Sequence, residues 1–167
     1  MKRSITIADL VMGVGGLVAF LFSFLAFFDT PRSNFSAWDG DAGAFATTVP
    51  AILGLVMVIW IVLELLGVSL PEQVLTYDRP QLKGTWGIGA FGIMLSWISA
   101  DFGGADKGAG FWLMFLGSAA MAVGAIMALL GKGTDTVDLP GGSDGGATGS
   151  SDSTEMPPPP PPPAPDA

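Results

Sequence analysis

Two carboxylates, Asp9 and Glu64, are the only ionisable side chains within four long apolar stretches, residues 7–28, 49–68, 84–100 and 110–130. An acid among apolar residues is costly unless it is neutral, paired or close to water, so it marks either a structural ion pair or a path for protons or ions. Glu64 stands about five residues, roughly 7 Å of helical rise, from the end of its stretch, where a carboxylate can still reach a polar boundary. It is the candidate intramembrane carboxylate, read first as paired or interfacial. Asp9 follows Thr6 by three residues, the spacing at which a hydroxyl and a carboxylate satisfy the free amides of a helix start. Arg79 and Lys83 are the cations available to either acid.

Other reactive chemistry is scarce. The chain has no Cys and no His, which removes thiol and imidazole chemistry, disulfides, ordinary zinc sites and every Ser-His or Cys-His nucleophile. No Gly-rich loop ending in Gly-Lys-Ser/Thr is present, so nucleotide binding has no motif to rest on. Asp39-Gly40-Asp41-Ala42-Gly43 resembles the opening of a calcium loop. It lacks the third oxygen ligand and the distal Glu, and reads as an Asp/Gly turn. No catalytic, cofactor-binding or metal-binding residues are therefore expected, and no enzymatic activity.

The elements that position these groups follow from length. A hydrocarbon layer about 30 Å thick is crossed by roughly 17–25 helical residues, and all four stretches fit. The expectation is an all-α membrane protein, a four-transmembrane-helix bundle over residues 1–132, with a disordered Pro-rich C-terminal tail over residues 133–167. Gly84, Gly87, Gly89 and Gly92 make the third stretch the weakest helix former, and Lys83 reads as its boundary. Pro50 is expected in the first turn of the second helix. Trp38, Trp86, Trp97 and Trp112 fall near stretch ends, at headgroup level for a bilayer.

Lipid does not drive apolar surfaces together, so small residues that let backbones approach closely mark the packing faces. They are Gly16, Ala19 and Ser23 in the first stretch, Gly89, Gly92 and Ser96 in the third, and Gly117, Ala120 and Gly124 in the fourth. We read them as packing within one bundle of the first, third and fourth helices, the bulky second helix being more peripheral; a homo-oligomer face is the alternative.

The tail carries six carboxylates and no Lys or Arg, so it holds −6 of the net charge of −8, which argues against nucleic acid as a partner. Its Gly, Ser, Asp and Thr cannot bury enough apolar surface to fold. Seven consecutive prolines, Pro157 to Pro163, form a preset left-handed rod. Pro157, Pro160 and Pro163, one per turn, are candidate contacts for an aromatic groove on a partner. Basic residues set orientation: Lys2, Arg3, Arg79, Lys83 and Lys132 on one side, against Arg32 and Lys107, place both termini in the cytoplasm of a multi-pass plasma-membrane protein.

Leu17 to Phe28, Gly40-Asp41-Ala42-Gly43 leading into Leu53-Gly54-Leu55, and the Pro-rich end together resemble the small actinobacterial membrane proteins related to the mycobacterial 34 kDa antigenic protein. The resemblance implies an apolar four-helix bundle with a low-complexity Pro/Gly tail, a place in the cell envelope near the growth or division machinery, and no catalytic residues. The tail here is shorter and lacks the Tyr/Gln-rich repeats of that family. The expected role is a non-enzymatic scaffold or accessory subunit of a cell-envelope membrane complex, with the lipid bilayer and a membrane-protein partner or second copy as its partners. The alternative is a small transporter or channel subunit working through Glu64.

Overall fold

The computed structural model describes residues 4–40, 44–71, 73–100 and 105–138. Lys2, Arg3, Asp41 to Gly43, Pro157, Pro160 and Pro163 lie outside the described residues. A short strand, β1 (Ser4–Thr6), leads into α1 (Ile7–Phe22), whose first turn is capped by Thr6: its Oγ1 accepts the Asp9 amide at 3.1 Å. The helix ends at Phe22 instead of continuing to Phe28. Ser23, fully buried, donates its hydroxyl to the Phe20 carbonyl at 2.6 Å and accepts the Trp38 indole N–H at 2.8 Å, and the Leu25 amide turns back to Phe22 O.

Phe27 and Phe28 then fall in β2 (Ala26–Asp29), the middle of a three-stranded antiparallel sheet with β3 (Asn34–Ser36) and β6 (Asp106–Lys107). Both rings are buried against Trp97, and Phe27 also meets Phe111, with ring centroids 5.3 to 6.0 Å apart. A short apolar run fits a strand as well as a helix until packing decides.

The second helix, α2 (Ala44–Leu65), starts before Val49, so Pro50 lies in its interior and not in its first turn. A small hairpin of β4 (Gln73–Val74) and β5 (Tyr77–Asp78) follows. The third helix, α3 (Arg79–Ile98), has 20 residues and begins five positions ahead of Gly84, because Asp78 and Gln81 form a capping box with Pro80 in the first turn. Lys83 is therefore a helical residue and not the boundary. The fourth, α4 (Ala109–Leu129), keeps its expected limits to within one residue at each end.

Order also extends past residue 132. Strand β7 (Thr136–Asp138) pairs antiparallel with β1, Ile5 opposite Val137. The amides of Ile7 and Ala8, free at a helix start, donate to the carbonyls of Asp135 and Gly133 at 3.0 and 3.2 Å. Those unpaired donors are the physical reason the chain stays ordered beyond its last helix.

The helices form a ring, each beside two others in the order α1, α2, α3, α4 and back to α1. The second helix makes the two smaller contacts of that ring, yet it approaches α1 closely: a Cβ on Gly16 would fall 2.7 Å from the Gly54 carbonyl oxygen, and one on Gly54 would fall 2.7 Å from that of Gly16. On the other side of α1, a Cβ at Gly117 would lie 2.7 Å from both the Ala19 amide nitrogen and the Gly15 carbonyl oxygen, and Ala120 stands 3.0 Å from a Cβ at Gly15. Gly124 packs on Ala8 and Met12, while Gly87 meets the Met121 carbonyl.

The third-helix seam differs. Gly92 has nothing within 4 Å of a Cβ, Gly89 reaches only Leu53 at 4.0 Å, and Ser96 is exposed. Lys83, Gly87, Ala90 and Met94 form the buried stripe of α3, a helical spacing that turns Gly92 and Ser96 outward. Met12, Met57, Met94, Met114 and Met121, at least one from each helix, are fully buried and fill the gaps between these small-residue contacts.

We expect Gly117→Val to destabilise the bundle by about 1–3 kcal/mol or to block its assembly, because backbone stands where the new methyls would go. Gly92→Ala should be neutral or stabilising by about 0.5–1 kcal/mol through helix propensity alone. Denaturant titration in detergent followed by Trp fluorescence separates the two. Equal effects would contradict the rotation of α3 described above.

Candidate functional site

At the end of the bundle that carries both β1 and β7, three helices meet in one ionic centre. Lys83 Nζ, in the second turn of α3, donates to Asp9 Oδ1 of α1 at 2.8 Å and to Glu64 Oε2 of α2 at 2.7 Å. The Lys83 side chain is 7% exposed, those of Asp9 and Glu64 20% and 24%. The early start of α3 makes this possible, since it puts Lys83 on the buried stripe shared with Gly87 and Ala90.

The remaining carboxylate oxygens are also engaged. Thr6 donates its hydroxyl to Asp9 Oδ2 at 2.7 Å while capping α1, and the Trp60 indole N–H donates to Glu64 Oε1 at 3.0 Å. Trp60 in turn meets Trp86 edge to face at 5.5 Å. Charge-assisted hydrogen bonds of this kind are about twice as strong as neutral ones. A buried side chain on α3 is thus tied to the start of α1 and the end of α2.

Electrostatics gives the two acids different dependence on the lysine. Asp9 sits at the positive end of the α1 dipole, which favours a carboxylate. Glu64 sits in the last turn of α2, where the dipole disfavours it, so the ammonium and the indole N–H must offset that cost. Arg79, the other cation available by sequence, is used elsewhere: its guanidinium donates to the carbonyls of Leu70 and Pro71 and holds the loop after α2.

The other residues singled out by sequence are dispersed. Gly16, Ala19, Gly117, Ala120 and Gly124 lie at helix contacts, and Ser23 ends α1 at the opposite end of the bundle. Gly89, Gly92 and Ser96 do not join them. Asp39 accepts the Ser36 amide through Oδ2 at 2.6 Å and closes a turn. Trp38 stacks on Phe24 at 5.5 Å. A shallow, open groove bordered by Gln81, Gly84, Thr85, Ile88, Gly89 and Leu129 encloses about 350 Å³ and is predominantly apolar; it lacks the convergent polar groups that orient a small ligand.

Gly15, Gly54 and Gly87 are contact residues that the seam pattern missed. Gly54 had a readable signal, as the lone glycine in a bulky apolar helix. The central place of Lys83 was readable in part from Asp78-x-x-Gln81, which moves the helix start upstream of the lysine.

Comparison with protein-family models, with curated proteins and with solved structures finds no match.

Removing Lys83 leaves two carboxylates facing each other in a mostly enclosed site. Lys83→Met is expected to cost about 3–5 kcal/mol, the range for one partner lost from a buried pair. Adding Asp9→Asn and Glu64→Gln to Lys83→Met should recover most of that loss, because no uncompensated charge remains. Thermal unfolding of the single and triple variants in one detergent measures both. A triple variant as unstable as the single one would mean that packing by the lysine stem, not charge, is what was lost.

Proposed function

We propose that this chain is an integral plasma-membrane protein that crosses the bilayer four times, with both termini cytoplasmic. It serves without catalysis as a scaffold or accessory subunit of a cell-envelope membrane complex. The observation that carries the reading is the distribution of apolar surface. Leu10, Val14, Leu17 and Leu21 of α1, Ile52, Ile59 and Val62 of α2, Ile88, Leu95 and Ile98 of α3, and Leu116, Val123 and Ile126 of α4 are all exposed, while the Lys83 ammonium is enclosed between the carboxylates of Asp9 and Glu64. Water would penalise so continuous an apolar exterior on the described helices, and lipid would not.

Length supports the same reading for two helices. Phe45–Leu65 and Ala109–Leu129 are long and apolar enough to cross a membrane. The 16-residue α1 rises about 24 Å, and exposed Phe24 and Leu25 continue its apolar surface beyond the helix end. The pairing of β1 with β7 supports both termini lying on one side, as four crossings require, and the bias of Lys and Arg supports that side being the cytoplasm. For the role, the support is the absence of Cys and His and the engagement of both Glu64 oxygens by Lys83 and Trp60, which favours a structural use of Glu64 over an ion path. The cell-envelope setting and a partner for the Pro-rich tail come from the resemblance named above and from Pro157 to Pro163.

Because the chain lacks Cys, single Cys substitutions can be labelled without background. In intact cells an impermeant maleimide should label Ser36→Cys, and should reach Ser69→Cys and Ser143→Cys only after permeabilisation. The protein should remain with the membrane through alkaline carbonate washing. Release by carbonate would sink the membrane reading, and labelling of Ser143→Cys from outside would sink the topology.

A further inference from the structure

The residues that follow α4 do more than leave the bundle. After the α4 C-terminus, Gly131 and Gly133 take positive φ angles of 65° and 71°, turning the chain back across the start of α1. A Cβ on Gly133 would lie 2.8 Å from the Met127 side chain and 3.4 Å from Ala8, so the crossing is close. From there the Gly133 and Asp135 carbonyls accept the Ala8 and Ile7 amides, and β7 pairs with β1, whose Ile5 is 7% exposed in the core. Asp9, the next residue of α1, is the one that binds Lys83.

From these contacts we infer that residues 133–138 are a releasable strap that positions Asp9. With the strap seated, the first turn of α1 has its amides satisfied and Asp9 is held on Lys83. With the strap peeled away, the Ile7 and Ala8 amides lose their acceptors and the first turn frays. The Asp9 arm of the centre then opens while the Glu64 arm, on α2, stays in place. Anything that pairs with residues 133–138 in extended form would compete with β1 for the same backbone groups. The ionic centre thereby reports whether residues 133–138 are seated on β1, and the backbone contacts behind it exist whatever solvent surrounds the helices.

The readout is the acylation rate of Lys83 by an amine-reactive acetylating reagent, followed by peptide mass spectrometry on the full-length protein. Strand pairing alternates, and because Ile7 N–H bonds Asp135 O, the Ile5–Val137 pair is hydrogen-bonded too. Val137→Pro removes a donor from that pair and should raise the Lys83 rate about tenfold. Ser4 and Asp138 are opposite each other in a pair whose Cα atoms lie about 4.5 Å apart, within disulfide reach. The oxidised Ser4→Cys/Asp138→Cys protein should label more slowly than wild type and return to the wild-type rate on reduction.

In an Asp9→Asn background the rate should already be high, with Val137→Pro adding less than about twofold. Additive effects of Val137→Pro and Asp9→Asn would overturn the inference, since the strap would then act independently of Asp9. So would a locked strap that leaves the rate unchanged, an outcome that does not depend on the proline variant folding.

Discussion

One ammonium group carries the ionic architecture at the strapped end of the bundle. Lys83 Nζ lies within 2.8 Å of a carboxylate from each of two other helices, so α1, α2 and α3 cannot rotate or slide independently without separating a buried ammonium from its half-buried carboxylates. In a low-dielectric surrounding that separation costs far more than at an exposed surface. The site is stable only because every participant is satisfied: Thr6 and Trp60 supply the hydrogen bonds that Lys83 does not. A partly satisfied version would be worse than an apolar core.

Close backbone contact is the second constraint, and it agrees with the first. Lys83 and Gly87 share a face of α3, so the rotation that buries the lysine also brings Gly87 onto the Met121 carbonyl of α4. Gly16 and Gly54 set the α1–α2 approach near 2.7 Å from a virtual Cβ to backbone oxygen, which leaves no room for any larger residue. Flexible Met side chains fill what remains. At the opposite end, Phe27, Phe28, Trp97 and Phe111 close the bundle with edge-on and tilted ring contacts. The two ends are therefore built from different physics, charge at one and aromatic packing at the other.

Particular residues show what could be read from sequence. Thr6 and Asp9 marked a helix start because capping is local chemistry between residues three apart. The fourth helix was legible because a long uniform apolar run has few alternatives. Phe24 to Phe28 was not, since a short apolar segment is equally at home in a strand, and only the buried Ser23 hydroxyl and the waiting Trp97 and Phe111 rings settled it. The outward rotation of Gly92 and Ser96 was hidden for a similar reason: small residues at seam spacing mark a face without saying what lies opposite it.

By itself the sequence determined that four long stretches would be apolar, that thiol and imidazole chemistry were absent, and that two acids would need partners. Those conclusions depend only on residue type, which is the same in every conformation. Tertiary structure alone decided that one lysine serves both acids, that Arg79 serves neither, and that residues 133–138 return to the start of α1. Such choices join positions as far apart in sequence as Ser4 and Asp138, and the free energy that selects them exists only once the helices are packed and the competing partners are excluded by distance.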